Sequence, residues 1–147
     1  GWLKEAEGRA IKIVAQLLGH LNRGCRYRII YMERDLEEVV RSQRKMLGRR
    51  GKDGASVSDE RLMHLFAGQE KTIKAMLAAK TFAVLYVRYR VCIEDPGRVA
   101  REINGFLGGS LDETAMTSAV VPDLYRNRGV RNHVKAVNSN AAKKEGV

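Results

Sequence analysis

A chain of 147 residues, 44% hydrophobic and 30% charged, is long enough for one domain with a real core, and its composition excludes a disordered chain. A formal net charge of +10 points to anionic partners such as nucleotides, nucleic acid, sulfated or phosphorylated substrates, or anionic lipid. No apolar run approaches the roughly 20 residues needed to span a bilayer. The start, Gly1-Trp2-Leu3-Lys4-Glu5, lacks the basic-then-apolar layout of a signal peptide, and Cys25 and Cys92 have no CxxC spacing. A reducing cytoplasm is the expected location, and a disulfide is not implied.

In chain order, three short β-type runs are predicted, over residues 10–14, 27–33 and 82–88. They are near-continuous in apolar residues, as in strands buried on both faces of a parallel sheet. Between the second and third, Leu36, Val39, Val40, Met46 and Leu47 share one side of a helix over 35–50. Leu62, Leu65, Phe66, Ile73, Met76 and Leu77 form the stripe of a longer helix over 58–80. Ser58 reads as its N-cap, with Asp59 and Glu60 in its first turn. Asp95-Pro96 reads as the N-cap and first residue of another helix, with Val99, Ile103, Phe106 and Leu107 inward and Gly108-Gly109 as its stop. A last short helix is expected over 111–119. The pattern predicts an α/β domain over residues 1–130 with right-handed crossovers, then a basic tail over 131–147.

Two clusters carry much of the positive charge. Arg126, Arg128, Arg131, Lys135, Lys143 and Lys144 face one acid, Glu145, after residue 124, while Arg41, Arg44, Lys45, Arg49, Arg50 and Lys52 form a second cluster. Each is read equally as a solvated face or as an anion-binding surface. The histidines His20, His64 and His133 are too scattered to form a metal site with one another or with the cysteines, so no metal is expected.

The junction of the second strand with its helix is the main candidate site, because ligands of open α/β sheets collect at the carboxyl ends of strands. Arg34 stands at that end, with a guanidinium suited to bidentate phosphate contact. Ser42 falls two turns into the helix at the border of its apolar stripe. The structural alternative pairs Arg34 with Asp35 or Glu38. Asp35, Glu37 and Glu38 suit the helix start but would repel a phosphate placed on its amides. Tyr27, Tyr31, Tyr86 and Tyr89 read as packing residues around the strands.

Ile30-Tyr31-Met32-Glu33-Arg34, then Glu38-Val39 and Ser42, resembles the 3′-phosphate-binding strand and helix of the sulfotransferase family, "K-x-I-Y-x-x-R-N-x-x-D-V-x-x-S", with the same Arg-to-Ser spacing. Val84-Leu85-Tyr86-Val87-Arg88-Tyr89, Glu94-Asp95-Pro96 and Ile103, Phe106, Leu107, Gly108 are similar to the family's "V-L-x-L-x-Y-E-D … D-P … I-x-x-F-L-G". Residues 10–21 occupy the place of its "K-T-H-L-P" strand, and residues 122–129 resemble the C-terminal basic segment of bacterial sulfotransferase-like proteins.

The resemblance covers roughly residues 8–129 and implies a three-layer α/β/α domain with a parallel sheet, P-loop NTPase-like, without its first βα unit, since no GxxxxGK[ST] loop occurs. It implies 3′-phosphoadenosine 5′-phosphosulfate as sulfate donor and adenosine 3′,5′-bisphosphate as its product. Arg34 and Ser42, with Arg126 and Arg128, would hold the nucleotide, and a sulfuryl group would pass to a small-molecule hydroxyl or amine. Val14 replaces the histidine that the family uses as general base, which leaves Lys12 to stabilise charge and His20 as substitute base. Two other readings follow from the charge and the lost histidine. One is a non-catalytic anion- or nucleic-acid-binding module. The other is an inactive truncated domain whose exposed sheet edge is covered by homodimerisation or strand exchange.

Overall fold

The computed structural model describes residues 6, 8–22, 24–49, 57–80 and 82–125. Two strands, β1 (Arg28–Glu33) and β2 (Ala83–Arg88), pair in parallel, with Arg28 opposite Ala83 and Glu33 opposite Arg88. Their β-branched and aromatic side chains suit a pleated, half-buried surface. The connection between them carries α1 (Leu36–Arg49) and α2 (Asp59–Ala79). After β2 come α3 (Tyr89–Glu94), α4 (Pro96–Leu107) and α5 (Glu113–Ser118), with short 3-10 turns at Ala15–His20 and Pro122–Leu124.

The helix ends follow from local chemistry. The Asp35 carboxylate accepts from the amides of Glu37 (2.9 Å) and Glu38 (3.2 Å), so it caps α1. Ser58 and Asp95 cap α2 and α4 by accepting from Arg61 N and Arg98 N, as the sequence predicts. Gly108 and Gly109 stop α4 at φ +118° and +79°, a left-handed region costly for other residues, and both amides reach the Asn104 carbonyl.

One face of the sheet presents Tyr27, Ile29, Tyr31, Phe82 and Val84, and these pack with Ile73, Met76 and the fully buried Leu77 of α2. Leu18 and Leu21 of the first 3-10 turn close that core. On the other parity, Val87 is buried, α4 contacts both strands through the helix that carries buried Val99 and Ala100, and Gly108 lies beside Arg28. Arg44 ties α1 to α2 by pairing with Asp59 at 2.9 Å, so this member of the 41–52 basic cluster is not simply a solvated charge. The fold is thus mixed α/β.

Two expectations change, and one element is new. Residues 10–14 are not a strand, and the sheet has two strands among the described residues rather than three. Ile11 and Val14 are exposed, only Ile13 packs on the core, and the chain contributes its apolar side chains through Leu18 and Leu21 instead. A short apolar run signals burial without specifying pairing. Leu65 and Met46, expected inward, are exposed. The 21 residues of α2 span about 31 Å, against about 20 Å for a six-residue strand, so the amino-terminal half of α2 overhangs the sheet. Finally, residues 89–94 form the separate helix α3 directly after β2. The expected tail over 131–147 lies outside the described residues. Among the described residues no helix is long and apolar enough to cross a membrane.

Candidate functional site

The in-register pairing of Glu33 with Arg88 makes the next residues, Arg34 and Tyr89, neighbours at the carboxyl edge of the sheet. There a cavity of about 330 Å³ opens, lined by Glu33, Arg34, Asp35, Glu38, Glu70, Arg88, Tyr89 and Arg90. The guanidinium carbon of Arg34 lies over the Tyr89 ring, 4.6 Å from its centre, a cation–π contact. Arg34 pairs with neither Asp35 nor Glu38.

The lining carries four carboxylates and three guanidiniums, yet the two sets differ in how they are engaged. Glu33 and Glu70 share the Lys74 ammonium at 2.5 and 2.7 Å. Their hydrogen bonds, Glu33 first, push the Lys74 ammonium well above the usual lysine range. Asp35 is taken up by the amides of α1. Glu38, only 3% exposed, accepts the hydroxyl of buried Tyr125. Burial, and then that bond, raise the Tyr125 phenol above its ordinary value, so it stays a donor. Arg90 pairs with Glu94 at 3.3 Å. Among the described residues Arg34 and Arg88 have no carboxylate partner. The engaged carboxylates keep their charge, so what distinguishes the cavity is that Arg34 and Arg88 have donors that no carboxylate takes up among the described residues. The α1 amides take no part, because Asp35 occupies those of Glu37 and Glu38.

Of the residues singled out from the sequence, Arg34 lines this cavity. Ser42 lies one helical turn beyond Glu38 on the same side of α1, half-buried, and outside the lining. Lys12 is exposed in the extended segment before the first 3-10 turn, and exposed His20 ends that turn. Lys80, just past α2, donates to the Gly19 carbonyl at 2.8 Å, which places His20 near the start of β2. That is the opposite end of the sheet from Arg34, a strand length of about 20 Å away. The structure does not bring His20 to the cavity. Arg126, Arg128 and His133 lie outside the described residues. His64 is exposed, and Cys25 and Cys92 are free thiols. Among the described residues no group of three or more His, Cys, Asp or Glu side chains could hold a metal ion.

Sequence reasoning missed Glu38, Arg88, Tyr89, Arg90 and Tyr125 as site residues. For three of them a signal was available. Arg88 ends β2 and Tyr89-Arg90 follow it as Arg34 follows β1, so strand-end logic applied twice finds them. Tyr125 gives no such signal, since only tertiary packing brings it beside α1. No protein-family model, curated protein or solved structure matches the chain.

Proposed function

We propose that the cavity at the carboxyl edge of the two strands binds adenosine 3′,5′-bisphosphate, as the nucleotide site of a sulfotransferase-like domain of the three-layer, P-loop NTPase-like kind. One observation carries this reading. Every carboxylate of the lining is engaged by a cation, an amide or a hydroxyl, while Arg34 and Arg88 have no carboxylate partner among the described residues. Two guanidiniums at one strand edge suit a phosphate dianion, and the volume lies within the range of small-ligand pockets. The eight-residue spacing of Arg34 and Ser42 along α1 adds to it.

In this reading Arg34 and Arg88 hold the 3′-phosphate, and Ser42 extends the site along α1. The donor, 3′-phosphoadenosine 5′-phosphosulfate, supplies the sulfuryl group that a hydroxyl or amine acceptor receives. His20 stands away from the nucleotide cavity and Lys12 is not in its lining, so neither is assigned a step.

The test is isothermal titration of the whole chain with adenosine 3′,5′-bisphosphate. Saturable binding is expected, weakened about tenfold or more by Arg34→Ala, since a charge-assisted contact contributes about 1.5–3 kcal/mol. Equal binding by wild type and Arg34→Ala overturns the assignment. The net charge of +10 favours a second reading, a nucleic-acid-binding module. That reading requires steeply salt-dependent binding to DNA or RNA which is lost when residues 126–147 are deleted.

A further inference from the structure

Arg34 is exposed at the end of a strand, where a long side chain ordinarily samples many rotamers. Here it is held. Its guanidinium carbon lies over the Tyr89 ring, 4.6 Å from the centre. Tyr89 in turn meets the Tyr125 ring edge-on, with centroids 5.4 Å apart and planes at 79°. Tyr125 is 6% exposed, and its hydroxyl donates to Glu38, which is 3% exposed. Glu38 stands in the first turn of α1, four residues after Arg34, so the contacts close a ring. Three separate stretches supply it: the β1–α1 junction, the first residue of α3, and the chain just after the last 3-10 turn.

Each link is of a kind that orients its neighbour. A cation–π contact restricts where a guanidinium sits, and with it where its N–H donors can reach. Edge-to-face packing sets the tilt of the supporting ring. A charge-assisted hydrogen bond between two buried groups is directional and costly to leave unmade. The buried end of the ring is therefore its rigid part, and Arg34 is its exposed end.

We propose that Tyr125, through Tyr89, is a positioning residue for Arg34, anchored by Glu38 and holding the guanidinium oriented toward the cavity before any anion arrives. This rests on the reading of the cavity as an anion site. It assigns a role in binding to Tyr125, which does not line the cavity, and it explains why a carboxylate is tolerated beside an anion. Glu38 lines the cavity, but its Oε1 is engaged by the tyrosine hydroxyl. The gain is preorganisation, because an arginine already held over the ring loses less freedom on binding.

Two measurements test it. In the first, the side-chain Nε–Hε resonance of Arg34, assigned by its loss in Arg34→Ala, is followed by NMR in the free protein. Tyr89→Leu should abolish its ring-current displacement, and Tyr125→Phe should shift it, with far-UV circular dichroism unchanged. In the second, affinity for adenosine 3′,5′-bisphosphate is titrated. Tyr125→Phe and Tyr89→Leu should each weaken it about three- to fivefold, the scale of a cation–π contact, but have less than about a twofold effect in an Arg34→Ala background. An Arg34 resonance indifferent to both substitutions overturns the proposal. So does an effect of Tyr125→Phe that persists without Arg34. If the resonance responds but wild type does not bind the nucleotide, the anchoring stands and the nucleotide reading fails.

Discussion

The hydroxyl of Tyr125 donates to the carboxylate of Glu38, joining positions 87 residues apart. Both side chains are buried, and the bond ties the end of the described chain to the first turn of the helix behind β1. A buried carboxylate that loses one of its donors bears a larger desolvation cost. Tyr125→Phe is therefore expected to lower the unfolding free energy by about 1–3 kcal/mol in urea titration. Glu38→Gln, which keeps an oxygen able to accept from Tyr125, should cost less than Glu38→Leu.

Arg34 and Ser42 separate in the structure although the sequence treats them as a pair. Arg34 lines the cavity and Ser42 does not. Arg34→Ala should thus weaken adenosine 3′,5′-bisphosphate binding about tenfold or more, and Ser42→Ala by less than that. Arg34→Lys should recover only part of the loss, because an ammonium keeps the charge but loses the planar guanidinium over Tyr89. Titration calorimetry of the three variants at one salt concentration decides it. Equal losses for Arg34→Ala and Ser42→Ala would count against this geometry.

Asn104 clamps the last two helices together. Its amide donates to Glu113 Oε1 at 2.8 Å, while its oxygen accepts from the Leu111 amide at 2.9 Å, and the residue is buried. Asn104→Ala should cost about 1–2 kcal/mol by leaving the Leu111 amide and the Glu113 carboxylate without these part-buried hydrogen bonds. Asn104→Asp places a second carboxylate against Glu113, so it should be worse than alanine at neutral pH and recover toward pH 4. Thermal unfolding across that range reads both effects.

Stability should fall in alkali. Burial raises the phenols of Tyr31 and Tyr125 above the ordinary value of about 10, and Glu33 and Glu70 raise the Lys74 ammonium. Groups raised on folding stabilise fully below their unfolded values, and that contribution is lost as pH rises through the folded ones. The urea midpoint should be level from about pH 7 to 9 and decline above about pH 10. Tyr125→Phe should start lower and decline less steeply. A midpoint that is level through pH 11 would contradict these shifts.

Much of the local structure was legible without coordinates. β1, β2 and the helices after Ser58 and Asp95 follow from β-branched runs, capping residues and a glycine stop. These are short-range effects, decided within one or two turns of chain. Residues 10–14 look like a strand because their apolar content is real, but their partner is not in their own sequence. Leu18 and Leu21 meet Leu77, and the extended segment pairs with nothing among the described residues.

The site divides along the same line. That an arginine stands at the carboxyl end of a strand, followed by a helix whose first amides Asp35 caps, is determined by the sequence alone. That this arginine lies over Tyr89 required the register of β1 with β2. That Tyr89 rests on Tyr125, and Tyr125 on Glu38, required packing between segments that no periodicity links. Local propensity sets where a side chain leaves the backbone. Only the closed tertiary arrangement decides which carboxylates are already engaged, and hence which guanidiniums have no carboxylate partner among the described residues.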